Sequence, residues 1–182
     1  MTDTNKGKVF PLGSSLTPKG VNFSLIATNA EYVEILLFEK EDSTSPKTIF
    51  KLDQNHNTGP YWHAEVENLN EGCIYAFRVK QKNNGINNNY EKKVLLDPCS
   101  RGITGWKSYK RENALKSKDN SDSCLKSVVC DRELFNFKDY PRPKHSWEKT
   151  IIYELHIKAF TESTNTDESC FKKFLKKIPY LK

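Results

Sequence analysis

The stretch "GVNFSLIATNAEYVEILLFE", Gly20–Glu39, decides the fold of the first part of the chain. Val21, Phe23 and Leu25 alternate with polar or small residues, so one face of an extended strand is apolar. After the turn residues "TNA", the run "YVEILLFE" repeats the alternation with β-branched and aromatic side chains. The pattern predicts two strands that each bury one face.

Short runs of the same kind, separated by turn residues, continue through most of the first 135 or so residues. Their spacing of about 10 to 15 residues favours a β-sandwich over alternating strands and helices. The other predicted strands are Lys47–Leu52, Tyr61–Leu69, Cys73–Lys80, Lys93–Pro98 and Ser127–Asp131. Two polar segments without periodicity are predicted as loops. They are Gln81–Tyr90, which is rich in Asn, and Ser108–Ser123, for which we predict a mobile loop.

The segment "DYPRPKHSW", Asp139–Trp147, contains two prolines that exclude a regular helix or ladder, and we predict the domain boundary there. Beyond it, Ile151–Ile157 is almost continuously apolar, as in parallel strands buried on both faces. A polar stretch then leads into an amphipathic helix, Phe171–Lys182, which must kink or restart at Pro179. Strand, loop and helix are the opening of a βα repeat.

Composition excludes several classes of protein. The net charge is +6, but the lysines are scattered among acids, and the dense run near Lys182 is explained by a solvated helix face, so no nucleic-acid partner is predicted. No apolar run approaches a membrane span of about 20 residues, and the N-terminus lacks the apolar core of a signal peptide. The five cysteines form no CxxC pair. We predict a cytoplasmic protein with reduced thiols and no metal or organic cofactor.

The motifs together resemble a known family. "FPLGSSLTPKGVNFSLIATNAEYVEILLFE" resembles the opening of isoamylase-type glycogen debranching enzymes of glycoside hydrolase family 13. Further matches follow in the same order: "YWHAEV", "EGCIYAFRV", "KVLLDP", "IIYELHIKAFT" and "KKIPYLK". The resemblance implies an all-β, immunoglobulin-like sandwich of carbohydrate-binding module family 48, then the truncated start, one βα unit, of a (β/α)8 barrel. The predicted divisions are residues 1–140 for the sandwich, 141–148 for a linker and 149–182 for the barrel start.

The resemblance also implies a function. The parent enzymes hydrolyse α-1,6 branch linkages in glycogen or related α-glucans, using a nucleophile and an acid about 5–5.5 Å apart. In that family both carboxylates come from later barrel strands, so the chain is expected to be non-catalytic, and Glu154 is not a candidate. The expected partners are α-glucan and the rest of the barrel. After Asp97–Pro98 the family has Tyr-Ala where this chain has Cys99 and Ser100. A branching enzyme, a trehalose-forming hydrolase and a stand-alone protein-interaction sandwich remain alternatives.

Three residues are candidates for contacting substrate. Trp62 is either a platform for a glucose ring or a core residue, and core packing is preferred because a strand exposes only one of Tyr61 and Trp62. Trp106 lies in a loop and either binds ligand or covers the domain junction. His156 is expected near the carboxyl end of a barrel strand, where polar residues often line an active site.

Overall fold

The computed structural model describes residues 4–82, 92–131, 142, 144–162 and 168–181. Residue contacts divide the chain into two compact units, Met1–Asn136 and Phe137–Lys182. The first unit contains every β-strand of the described residues, and the second contains short helices. Most of the predicted loop Gln81–Tyr90 lies outside the described residues, as do residues 139–141 and 143 of the predicted boundary segment Asp139–Trp147.

The first sheet of the first unit is antiparallel throughout. Its strands are β1 (Thr4–Asn5), β2 (Gly13–Leu16), β3 (Gly20–Ile26), β6 (Asn57–Thr58) and β7 (Tyr61–Glu67). They follow the order β1–β7–β3–β2, and β6 pairs with β7 beyond this path. The longest ladder of this sheet joins β3 to β7, from Gly20 opposite Glu67 to Ile26 opposite Tyr61.

The second sheet is also antiparallel. Its strands are β4 (Ala30–Phe38), β5 (Thr48–Leu52), β8 (Ile74–Gln81), β9 (Gly102–Thr104) and β10 (Lys126–Val128). They follow the order β5–β4–β8–β10–β9. The predicted strand Lys93–Pro98 is reduced to a single bridge between Leu95 and Phe77. A strand that ends at Pro98 is too short to continue the ladder, because proline has no N–H to donate.

The two sheets share one apolar core, which confirms the predicted β-sandwich. The alternating residues Val21, Phe23 and Leu25 of β3 are buried in it, together with Val33 and Ile35 of β4. The period of two in β3 therefore predicts correctly which of its faces is turned toward the core. The remaining buried members of the core are Ala30, Leu52, Trp62, Ala64, Val66, Tyr75, Phe77 and Val129.

The described chain between β8 and β10, residues 92–125, covers part of the outer face of the second sheet. Val94 and Cys124 of this segment form a second apolar cluster with Leu36, Phe38 and Ala76 of the sheet. The prediction that Ser108–Ser123 is a loop is wrong in part. This segment contains helix α1 (Arg111–Leu115) and buries three polar residues, Asn120, Ser121 and Ser123.

The N-terminal segment Lys6–Phe10 lies along the outer face of the first sheet. The side-chain amide of Asn22 accepts from the N–H of Lys8 at 2.6 Å and donates to its carbonyl at 2.9 Å. The hydroxyl of Ser24 donates to the carbonyl of Val9 at 2.5 Å. Asn22 and Ser24 are therefore buried although they point away from the core.

The second unit departs from its sequence prediction. Ile151–Ile157 forms no strand: residues 151–156 have no regular structure, and helix α2 (Ile157–Thr161) begins at its last residue. A parallel strand requires hydrogen bonds from a neighbouring strand, and the described residues of this unit contain none. Ile151, Ile152 and Tyr153 are consequently exposed.

The predicted amphipathic helix is present in two pieces, α3 (Cys170–Leu175) and α4 (Ile178–Leu181). Pro179 is the second residue of α4, so the helix restarts next to the proline as predicted. Phe160 of α2 packs its ring near those of Phe174 and Tyr180, at centroid distances of 6.3 and 6.2 Å. Aromatic contacts thus join the helices of this unit.

Candidate functional site

The most exposed large aromatic side chain of the described first unit is Trp106, in the turn after β9. Its side chain is 64% exposed. The Tyr109 ring meets it edge to face, with centroids 6.3 Å apart and planes at 75°. The segment that carries this ring pair, residues 105–123, is called the Trp106 excursion below. The pair offers an exposed apolar ring surface of the kind that packs against the C–H groups of a sugar.

Local backbone chemistry turns the chain outward at this point. Gly105 has φ of +92°, which favours glycine. A Cβ at this position would lie 3.0 Å from the carbonyl oxygen of Cys124. The N–H of Ser108 donates to the carbonyl of Gly105 at 3.2 Å and closes a turn around Trp106. The sequence "TGWKSY" therefore presents its aromatic residues on a tight turn at the end of β9.

Polar groups lie next to this turn. The Thr104 hydroxyl donates to the carboxylate of Glu41 at 2.6 Å. Lys126, which is fully buried, donates from Nζ to the backbone carbonyl of Glu41 at 3.0 Å and lies 4.9 Å above the Phe38 ring. These contacts hold the segment after β4 beside the end of β9. Exposed rings with a carboxylate and a hydroxyl nearby are the groups with which proteins bind sugars, because hydroxyls need hydrogen-bond partners and C–H faces need apolar surface.

Trp62 lies in the core of the sandwich. Its side chain is 2% exposed, and its indole N–H donates to the carbonyl of Ala27 at 3.1 Å. The preferred interpretation from the sequence, core packing, matches this position, and no ring face is left for a sugar. Tyr61 points to the other side of β7, where its ring meets that of Phe10 at 5.3 Å.

His156 lies in the second unit and caps helix α2. Its Nδ1 accepts the N–H of Ala159 at 3.2 Å, so the proton of a neutral ring is on Nε2. The residue is exposed. Because the expected barrel strand is not formed, His156 does not lie at a strand end in this structure, and its contact with substrate stays a prediction.

His63 has a structural role. It is buried in β7, and its Nδ1 lies 2.6 Å from the carbonyl of Lys6. Its Nε2 lies 2.9 Å from the hydroxyl of Thr58. A neutral ring that donates to Lys6 and accepts from Thr58 satisfies both nitrogens. The ring holds the N-terminal segment to the sheet and has no free nitrogen for catalysis.

The sequence interpretation missed two residues of the candidate site, Tyr109 and Glu41. Tyr109 follows Trp106 by three positions, a spacing that by itself does not bring two loop side chains together. Glu41 is far from Thr104 in the sequence, and only the packing of the segment after β4 brings them into contact.

The described part of the chain contains neither a metal-binding cluster nor a membrane-spanning helix. No three His, Cys, Asp or Glu side chains there lie close enough together to hold a metal ion. None of the helices in these same ranges has the length and apolar character that a membrane crossing requires.

Known proteins resemble this chain in sequence. The family model for carbohydrate-binding module 48, the isoamylase N-terminal domain, matches residues 11–100. The glycogen debranching enzyme of Pectobacterium atrosepticum is 30% identical over 169 residues, covering 89% of this chain and 25% of that enzyme. The enzyme of the same name from Cronobacter sakazakii is 32% identical over 168 residues, covering 88% of this chain and 24% of the relative. The chain thus spans about a quarter of the length of these relatives.

Solved structures agree on the fold. The catalytic module of SpuA, described as a glycogen-degrading pneumococcal virulence factor, has a TM-score of 0.68 and 18% identity, covering 94% of this chain and 25% of that one. The GBS pullulanase SAP, solved with maltotetraose, has a TM-score of 0.69 and 21% identity, covering 94% of this chain and 22% of that chain. Residues 11–100 therefore belong to the carbohydrate-binding module 48 family, the isoamylase N-terminal domain.

Proposed function

We propose that this chain is the N-terminal accessory portion of an enzyme that hydrolyses α-1,6-glucosidic branch linkages in glycogen or a related α-glucan. The observation that carries the proposal is the extent of the match to glycogen debranching enzymes. It covers 89% of the chain and therefore extends beyond the first unit alone. A carbohydrate-binding sandwich shared with other proteins would match only the first unit.

The proposal assigns residues 1–140 to the sandwich, 141–148 to a linker and 149–182 to the beginning of a (β/α)8 barrel. Support comes from the apolar surface that the second unit leaves exposed. A groove of about 810 Å³ is lined mainly by apolar side chains: Tyr153, Glu154, Leu155, Ile157, Phe174, Tyr180 and Leu181. Surface of this kind is normally covered in a folded enzyme. The remainder of a barrel is the proposed partner, and a substrate contact by His156 belongs to that complete barrel.

The proposed role of the sandwich is to hold α-glucan, with the Trp106–Tyr109 ring pair as the contact surface. The support is the exposure of Trp106, its ring contact with the half-buried Tyr109, and the neighbouring hydroxyl and carboxylate of Thr104 and Glu41. A single ring pair with few polar partners supports weak binding. The expected Kd is above about 1 μM, which corresponds to a binding free energy of less than about 8 kcal/mol in magnitude. A cytoplasmic location is part of the proposal, supported by the five free cysteines.

Replacement of Trp106 tests the contact surface. We expect Trp106→Ala to weaken binding of the chain to glycogen at least about tenfold, because the indole is the larger and more exposed ring of the pair. Its free energy of unfolding should change by less than about 0.5 kcal/mol, since the ring is outside the core. Migration in native gels with and without glycogen measures the binding.

The matched control is Trp147→Ala, because Trp147 is an equally large side chain that is 83% exposed in the second unit. This variant should be retarded by glycogen as much as the unaltered chain. If Trp106→Ala and the unaltered chain were retarded equally, the ring pair would not be the glucan contact. If the unaltered chain migrated identically with and without glycogen, the binding role itself would be contradicted.

A second prediction concerns catalysis. We expect the purified 182-residue chain to release no reducing ends from glycogen, because in the resembled family both catalytic carboxylates come from later barrel strands. A reducing-sugar assay measures this, with the glycogen debranching enzyme of Pectobacterium atrosepticum as the positive control. Release of reducing ends in proportion to chain concentration would refute the accessory role.

A further inference from the structure

Lys93 is a buried lysine with an unusual set of partners. Its side chain is 6% exposed, although lysine is almost never buried so deeply. Its Nζ donates to the backbone carbonyl of Asn113 at 2.6 Å and to that of Lys116. These carbonyls belong to the last turn and the C-cap of α1. The last carbonyls of a helix have no partner within the helix, and a lysine side chain can satisfy them.

Helix α1 depends on such outside contacts. It has five residues and no buried side chain, and its N-cap residue Lys110 makes no side-chain capping hydrogen bond. Isolated helices of this length do not form in water. Besides Lys93, two hydrogen bonds to Ser123 hold it, one from the N–H of Lys110 to the backbone carbonyl at 3.1 Å and one from the side-chain amide of Asn113 to the hydroxyl at 2.9 Å.

The position of α1 determines where the aromatic pair lies. Tyr109 lies two residues before the first residue of α1, and Trp106 lies in the turn that precedes this helix. The Trp106 excursion begins at Gly105, which lies so close to Cys124 that an added Cβ would be 3.0 Å from its carbonyl oxygen. Beyond Tyr109, the contacts of α1 hold the excursion in place. If α1 were released, the chain carrying Tyr109 would be held only from the side of Gly105.

We propose that Lys93 is a positioning residue that holds α1 in place and thereby keeps the Trp106–Tyr109 pair in the geometry that meets the sugar. The inference deepens the proposed function and rests on glucan contact by Trp106. A pre-organised ring pair loses less conformational freedom when it binds than a mobile one does. The burial of a lysine is thus explained by the ordering of a binding loop.

The first test is local amide hydrogen exchange without glucan. Lys93→Met keeps the length of the side chain and removes the donors. We expect exchange in residues 105–116 to become about tenfold faster, while β3 and β7 keep their protection. The matched control is Lys118→Met, which replaces an exposed lysine of the Trp106 excursion. This variant should leave the exchange rates of residues 105–116 and of both strands unchanged. Equal acceleration in all strands, or none in residues 105–116, would overturn the positioning role.

The second test is a double-mutant cycle measured as binding to maltoheptaose. If Lys93 acts through the ring pair, Lys93→Met should weaken binding about fivefold in the unaltered chain and have no further effect in Trp106→Ala. Additive losses would show that Lys93 acts elsewhere and would overturn the inference. If Lys93→Met does not fold, Ser123→Ala, which removes the acceptor of the Asn113 amide, is expected to act in the same direction in both tests.

The outcomes separate this inference from the proposed function. If Trp106→Ala binds glucan normally, the glucan contact at the ring pair fails whatever Lys93 does. If Trp106→Ala loses binding while Lys93→Met leaves exchange and binding unchanged, the glucan contact stands and the positioning role of Lys93 fails.

Discussion

Trp62→Ala is expected to lower the free energy of unfolding of the chain by about 3–5 kcal/mol, the range for large aromatic residues removed from a core. The Trp62 side chain is 2% exposed and belongs to the cluster that both sheets share. The substitution leaves a cavity and also removes one of two donors to the carbonyl of Ala27, the other being the backbone N–H of Ala30. Denaturant unfolding followed by circular dichroism measures the loss.

The control for this prediction is Trp147→Ala, which removes an exposed ring of the same size. It should change the free energy of unfolding by less than about 0.5 kcal/mol. A loss below about 1 kcal/mol for Trp62→Ala would mean that the indole is not an integral part of the core, and Trp62 would again be a candidate for contact with sugar.

Asp97→Ala is expected to lower the free energy of unfolding by about 2–4 kcal/mol, because it breaks a buried polar network. The Asp97 carboxylate accepts the Tyr75 hydroxyl at 2.6 Å and the N–H of Cys99 at 2.7 Å. Asp97 is 1% exposed, and its own N–H donates to the Ser127 hydroxyl at 3.1 Å. Burial, and then the negative charge of Asp97, raise the pKa of Tyr75 above its ordinary value, so the hydroxyl stays protonated as the donor.

Asp53→Ala is the matched control for this network. Asp53 also stabilises a turn through its carboxylate, which accepts the N–H of Asn55 at 2.9 Å, but it is exposed and has no buried hydroxyl partner. Its loss should cost about 1 kcal/mol or less in denaturant unfolding, as for an ordinary capping residue. Equal costs for the two substitutions would show that burial of the Tyr75–Asp97 pair contributes nothing beyond the turn.

The strands of the sandwich could be predicted because their signals are local. In β3 and β4, residues two positions apart lie on the same face. Val21, Phe23 and Ile35 lie in the core, and Leu36 and Phe38 lie in the outer cluster. Asp97 before Pro98 likewise predicts the turn that the structure contains, since Asp side chains accept N–H groups two residues ahead.

Burial on the outer face of the first sheet could not be predicted. Asn22, Ser24 and His63 fall on the polar side of their strands and would be exposed in an isolated sandwich. They are buried because Lys6–Phe10 lies across them, and nothing within a strand encodes which distant segment covers it.

The second unit shows the converse error. The composition of Ile151–Ile157 indicates a buried strand, but composition describes the environment that a segment favours and does not supply the neighbouring strand. In the candidate site, Trp106 was predictable as a loop aromatic. Its contact with Tyr109 and the neighbouring pair Thr104 and Glu41 depend on tertiary packing, which the sequence pattern does not reveal.

The chain contains three tryptophans, and their indole N–H resonances test the central claim most directly. In a two-dimensional ¹H–¹⁵N spectrum titrated with maltoheptaose, the resonance of Trp106 should shift with a saturable dependence on sugar concentration. Those of Trp62, which is buried, and Trp147, which lies in the other unit, should remain in place. An unchanged Trp106 resonance at millimolar maltoheptaose would contradict the account of this sandwich as a module that holds α-glucan through that ring.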